Sequence, residues 1–231
     1  MSGSSVAIRS PRSGCRYQSV PASLRPRTRT RLPHRPGLGV AKVEAAAWRV
    51  EQLRKAVAEF RDHKFTVLRG VMPASWVELL KAEQVALLAG GTMKLEPDMR
   101  RNVTVDAPMA SVANYEIADL VERVLGTGVI PTYAFAIHYL PNGHIKPHTD
   151  RPQNELSMSV SLAVTPAGKD ASVLHAGRPD SMVRVDLEPN DALLYRGAEV
   201  THARDPVPEA HTVDQAIFGF RTVHKSHCYC M

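Results

Sequence analysis

Cysteine is scarce in this chain, and the three present, Cys15, Cys228 and Cys230, lie near the ends, where they cannot staple a core. No disulfide framework is expected, and a reducing compartment fits best. No apolar run approaches the roughly 18 to 20 residues of a membrane span, and Met1 to Ser10 lacks the apolar centre of a secretory signal. A soluble, cytoplasmic protein is the expectation. Acidic residues are missing from residues 1–42, which carry nine Lys or Arg. The formal net charge of +6 is therefore a property of that segment, because the remainder holds 20 basic against 23 acidic side chains. The folded part thus has no general attraction for a phosphate backbone, and nucleic acid is not an expected partner.

Residues 1–40 are rich in Ser, Arg and Pro, with Arg25, Arg27, Arg29 and Arg31 alternating through Pro and Thr. Such a composition cannot bury apolar area, and disorder is expected. An inert extension, an organellar transit peptide and a basic tail that touches nucleic acid all fit it; the transit peptide would make the protein organellar. The 44% of hydrophobic residues can build one core, and a single domain over 41–231 is expected.

Within that domain, Val43, Ala47, Val50, Leu53, Val57 and Phe60 recur at helical spacing and predict one amphipathic helix from Ala41 to about His63. Lys64 to Gly70 reads as a strand. Ser75 is a suitable cap for a helix through Trp76, Leu79, Leu80, Val85 and Leu88 to Gly90. Residues Gly91 to Ser111 show no period and are expected to form a long loop shaping a substrate mouth. A short helix from Tyr115 to Leu125 ends at Gly126, and strands follow. They are Thr132–Tyr139, Ile145–His148, Leu156–Val164, Ser172–His175, Met182–Leu187, Ala192–Tyr195, Val200–Arg204 and Gln215–Val223. Eight strands fit a jelly roll occupying about 128–223. In Leu156–Val164, Ser157, Ser159 and Ser161 share one face and Met158, Val160, Leu162 and Val164 the other. The serines leave room for a ligand or face solvent.

The stretch Tyr139 to Asp150 reads as a strand, a Pro141-Asn142-Gly143 turn and a second strand that delivers His148 and Asp150 to one face. An imidazole and a carboxylate side by side make half of a metal site. His202 and Arg221, on later strands, complete a recognisable pattern. It resembles the iron(II)- and 2-oxoglutarate-dependent dioxygenases, with Tyr139 to Asp150 most like the prolyl-4-hydroxylase branch. The run from Phe60 through Phe65-Thr-Val-Leu-Arg-Gly-Val-Met72 is similar to the opening of phytanoyl-CoA-hydroxylase-type members.

The resemblance implies an α+β fold, a double-stranded β-helix (jelly-roll) barrel with supporting N-terminal helices. It implies Fe(2+), 2-oxoglutarate and O2 as cofactor and cosubstrates. His148, Asp150 and His202 would be the metal ligands, since two imidazoles and one carboxylate on one face of an octahedron leave three positions open. Asp191-Ala-Leu-Leu-Tyr-Arg-Gly197 resembles the strand and turn that precede the distal histidine in this family. Asp150 argues against the halogenating relatives, in which a small residue stands there.

The basic residue that receives the far carboxylate of 2-oxoglutarate is expected nine to eleven residues beyond the distal histidine, where this chain has His211, Thr212 and Val213. Arg221 is preferred instead, with Arg204 next, and Tyr139 matches a tyrosine that hydrogen-bonds the cosubstrate. Arg151 and Asn154 stand where a substrate could reach them. None of the other histidines, His138, His144, His175 or His211, has an evident acid partner. The tail His224 to Cys230 holds soft ligands without a paired cluster and is given no function. The expected activity is hydroxylation of an unactivated C–H bond of a small-molecule or amino-acid-type substrate, free or peptidyl; the rival is a cupin-like barrel that binds a metal or small acid without turnover.

Overall fold

A computed structural model describes residues 39–168 and 170–223, with side chains from Arg49 onward. The expectations for residues 1–38 and for the His224 to Cys230 tail lie outside these. In chain order the elements are α1 (Gly39–His63), β1 (Phe65–Leu68), α2 (Ala74–Ala89), β2 (Lys94–Glu96), a 3-10 turn (Pro97–Met99), β3 (Arg101–Val105) and α3 (Pro108–Leu125). The strands β4 (Val129–Tyr139), β5 (Ile145–His148), β6 (Leu156–Thr165), β7 (Val173–Arg178), β8 (Ser181–Asp186), β9 (Ala192–Tyr195), β10 (Thr201–Arg204) and β11 (Thr212–Thr222) follow.

These strands form two antiparallel sheets, a seven-stranded one in the order β1-β9-β6-β11-β4-β3-β2 and a four-stranded one in the order β5-β10-β7-β8. This is the double-stranded β-helix, and the jelly-roll expectation holds. The larger sheet buries one face under the helices, where Leu80, Val121, Met158, Val160, Phe218 and Phe220 pack into one cluster. Its other face looks toward the small sheet.

Two irregularities shape the large sheet, and a third lies between His202 and Arg204 where β10 pairs with β5. Register shifts occur where β11 pairs with β6, between Asp214 and Gln215, and where it pairs with β4, between Gly219 and Phe220. Bulges leave carbonyls without ladder partners, and here buried amides from the helices reach them. Gln84 of α2 donates to the carbonyls of Gln215 (2.8 Å) and Ile137 (3.4 Å), and Asn114 of α3 donates to those of Tyr133 (2.8 Å) and Gly219 (3.4 Å). The first shift also changes the parity of β6. Met158, Val160 and Leu162 face the helices as expected, but Val164 packs with Ile137, Tyr139, Val207 and Val213 instead.

Other local expectations need correction. Residues 91–111 are not a loop: they hold the β2–β3 hairpin, which extends the large sheet by two strands, and the start of α3. Position N-cap of α2 belongs to Pro73, with no side-chain cap, so Ser75 lies inside the helix. Val50 and Val57 of α1, and Leu79 and Val85 of α2, are exposed, while Ala56 and Phe60 carry the buried face of α1.

Candidate metal centre

The turn Pro141-Asn142-Gly143 forms as its chemistry predicts, with Asn142 at φ 63° and its N–H bonded to the Val207 carbonyl at 2.7 Å. Gly143 is required by crowding, because a Cβ there would stand 2.7 Å from two backbone oxygens. The turn feeds β5, which pairs antiparallel with β10 so that His148 stands opposite His202. Asp150, just past β5, is tied to the far side by its N–H, which donates to the Gly197 carbonyl at 2.8 Å.

One ligand atom from each of His148, Asp150 and His202 lies within 4.8 Å of the others, and this is the one such group found among the described residues. Asp150 Oδ1 is 3.8 Å from His148 Nε2 and 3.6 Å from His202 Nε2. Each imidazole uses Nδ1 on a carbonyl two residues back, His148 on Lys146 at 2.9 Å and His202 on Val200 at 3.0 Å. A ring nitrogen bonded to a carbonyl carries the proton, which leaves each Nε2 lone pair free to face a cation. Burial alone pushes the Asp150 carboxyl up, but the hydrogen bond and charge of His202, together with Ser157 and His148, outweigh it and hold the group below the usual carboxylate range. The set is one carboxylate and two imidazole nitrogens turned to a common point, a fit for a divalent metal.

These residues open into a cavity of about 980 Å³ between the sheets. Its floor is the inner face of the large sheet, and cross-strand register arranges the side chains in rows. Tyr195, Ser157, Gly219 and Tyr133 form the row at the metal end, followed by Leu193, Ser159, Ile217, Phe135 and Val105. Ser157, Ser159 and Ser161 of β6 are all buried rather than in solvent, and Ser157 and Ser159 line the cavity.

Arg204, two residues beyond His202 on β10, is 3% exposed. Its Nη2 donates to Gln215 Oε1 and its Nη1 to Ser172 Oγ at 3.5 Å, while its guanidinium carbon lies 4.5 Å from the centre of the Tyr139 ring. Its Nε has no partner among the described residues. Burial pulls this guanidinium below its ordinary range. Tyr139 is itself buried, and its hydroxyl accepts from Arg101 Nη1 at 3.2 Å. Arg221, the preferred anchor from sequence, does not face the interior. It has the parity of Ile217 and Gly219 but lies past the cavity rim at the strand end, exposed and opposite Ile130.

Asn154 lines the cavity and Arg151 does not. Two of the other histidines do have acid partners, His138 with Asp214 at 2.7 Å and His175 with Asp205 at 2.9 Å. Both pairs arise across strands, which sequence spacing does not reveal, and neither includes a third ligand. The sequence reading also passed over Gln215, Tyr133, Arg101 and the hairpin residues Val103 and Val105, all of which line the cavity. Gly197 and Gly219 carried the available signal, since a glycine inside or beside a strand marks close approach of another group.

No protein-family model and no curated protein matches this sequence. Solved structures share the fold. A Pseudomonas putida prolyl-4-hydroxylase matches with a TM-score of 0.60 at 19% identity, over 73% of this chain and 98% of that one. The non-heme alpha-ketoglutarate-dependent epimerase SnoN of nogalamycin biosynthesis gives 0.63 at 18% identity, over 74% and 83%. HygX from Streptomyces hygroscopicus, solved with nickel, 2-oxoglutarate and hygromycin B, gives 0.56 at 12% identity, over 72% and 86%.

Proposed function

We propose that this protein is a mononuclear iron(II)- and 2-oxoglutarate-dependent oxygenase that hydroxylates a C–H bond of a small organic molecule. The observation that carries this reading is Arg204. A buried guanidinium whose hydrogen-bond partners are the neutral Gln215 and Ser172 is a charge waiting for an anion. It shares its cavity with the His148, Asp150 and His202 donor set.

His148 Nε2, Asp150 Oδ1 and His202 Nε2 would hold the iron. Two residues along a strand span roughly 6.5 Å, so Arg204 stands from His202 at a distance suited to a five-carbon diacid held at both ends. Arg204 takes the far carboxylate in charged hydrogen bonds, with Gln215 orienting the guanidinium and Tyr139 stacked beneath it. Bound there, iron with 2-oxoglutarate and dioxygen would supply the oxidising power, with succinate and carbon dioxide as the by-products. The chain positions the substrate and keeps water out, through the apolar wall of Val103, Val105, Phe135 and Ile217.

The cavity exceeds what a cosubstrate fills and suits a drug-sized molecule. The neighbours named for nogalamycin biosynthesis and hygromycin B support a small-molecule substrate, and the epimerase among them marks hydroxylation as one of several outcomes of this chemistry. Anaerobic reconstitution with iron(II) and 2-oxoglutarate, followed by absorption spectroscopy and a succinate-release screen, tests the reading. Metal-dependent 2-oxoglutarate binding and succinate release on admitting oxygen are expected. Binding of metal or 2-oxoglutarate with no oxygen-dependent turnover would establish a binding barrel instead.

A further inference from the structure

Asp150 uses Oδ1 toward the two imidazoles, and its other oxygen is already engaged: Ser157 Oγ donates to Oδ2 at 2.9 Å. A carboxylate only accepts, so the serine proton is committed to Asp150. The Tyr133 hydroxyl, 2.9 Å from Ser157 Oγ, must then be the donor to the serine oxygen. The chain therefore runs one way, Tyr133 O–H to Ser157 O–H to Asp150 Oδ2.

The backbone is shaped around this chain. A Cβ on Gly197 would stand 2.3 Å from Asp150 Oδ2, and a Cβ on Gly219 would stand 2.1 Å from Cε1 of the Tyr133 ring. Both glycines are sites where only hydrogen fits. Asn114 holds the Tyr133 and Gly219 carbonyls together from behind. Ser157 is fully buried between Tyr195 on β9 and Gly219 on β11.

We propose that Tyr133 and Ser157 are positioning residues that hold Asp150 to a single metal-facing oxygen. The consequence is for coordination number. Three protein donors on an octahedral metal leave three positions, two for 2-oxoglutarate and one for dioxygen. If Asp150 turned to offer both oxygens, it would take a fourth position and compete with the cosubstrate. Ser157 prevents the turn by occupying Oδ2, and Tyr133 fixes the serine rotamer. This inference rests on the metal-site reading above and adds to it a reason for the two hydroxyls.

The test uses the full chain and four forms: wild type, Ser157→Ala, Tyr133→Phe and the double variant. Cobalt(II) alone is titrated first, followed by visible absorption, with Asp150→Ala as control. 2-Oxoglutarate is then titrated into the cobalt-loaded proteins. The proposal expects Ser157→Ala to change the cobalt spectrum and to weaken 2-oxoglutarate binding by about tenfold. Tyr133→Phe should shift both in the same direction by less, and the double variant should match Ser157→Ala, because the tyrosine acts through the serine. Ser157→Thr, which keeps the hydroxyl, should give the wild-type spectrum. Four identical spectra and affinities would overturn the proposal, as would additive losses in the double variant. If the wild type binds cobalt no differently from Asp150→Ala, the metal-site reading itself fails and takes this inference with it. Tyr133→Phe keeps the ring and fills the same space, so it decides the matter even if Ser157→Ala does not fold.

Discussion

His202 stands directly opposite His148 in the pairing of β10 with β5, and the two ring centroids are 4.3 Å apart. Their separation is therefore set by a sheet ladder rather than by a mobile loop. Asp150 completes the set from just beyond β5, held to Gly197.

Removing the carboxylate leaves two imidazoles and no anion in the set. Asp150→Ala is expected to lower iron(II) or cobalt(II) affinity at least a hundredfold and to abolish succinate release, while the melting temperature in chelator stays close to that of the wild type. Metal titration followed by absorption measures it. Succinate release at the wild-type rate would remove Asp150 from the ligand set.

Arg204 and Arg221 separate cleanly. Charged hydrogen bonds contribute about 1.5 to 3 kcal/mol each, so Arg204→Met should weaken 2-oxoglutarate binding by about ten- to a hundredfold with metal affinity retained. Lysine at 204 should recover only part, having lost the planar fork. Arg221→Ala should change neither constant. Isothermal titration on the metal-loaded protein distinguishes the two, and a loss confined to Arg221→Ala would return the anchor to the last strand.

Burial pushes the Tyr133 phenol up to about 12, against the opposing hydrogen bond of Ser157. Its ordinary value is about 10. A group raised in the folded state contributes stability that is complete below the unfolded value and is lost as pH rises through the folded one. The urea midpoint is thus expected to fall as pH rises from about 10 to about 12. Tyr133→Phe should flatten this slope, leaving the part due to Tyr195, which burial also pushes up. An unchanged slope would place the Tyr133 hydroxyl in solvent.

Asn114→Ala withdraws the buried donor from the Tyr133 and Gly219 carbonyls. Leaving buried acceptors unmatched costs about 1 to 3 kcal/mol, measurable as a lower denaturant midpoint at constant slope. Equal stability would mean that water replaces the amide.

The central strands and the placement of His148 beside Asp150 were legible because their signals are local. Alternation marks β4, β6 and β11, and a His-x-Asp pair after a Pro-Asn-Gly turn needs no partner to be seen. The β2–β3 hairpin was not legible, since an edge hairpin is buried too little for alternation: every residue from Arg101 to Thr104 is only half-buried. The exposure of Arg221 was missed for a different reason. Strand parity gave Arg221 the correct face but not the point along β11 at which the cavity ends. Val164 was lost to a bulge, which shifts parity without leaving a mark in composition. His138 and His175 found partners across strands, through a register that no single-strand pattern encodes.

Gln84 and Asn114 fasten the helix layer to the sheet at the two places where the ladder is broken, and Asn114 does so directly behind the row that carries Tyr133 and Gly219. Altering what this protein accepts is therefore a question of which wall is varied. The β2–β3 hairpin supplies Val103 and Val105 from β3, next to the edge strand, with no helix side-chain amide bonded into it among the described residues, and can be redrawn by a library with less disturbance to the His148, Asp150 and His202 end. The floor at β4 and β11 is less free, because Gln84 and Asn114 pin its backbone carbonyls from the far side of the sheet and a Cβ on Gly219 would collide with the Tyr133 ring.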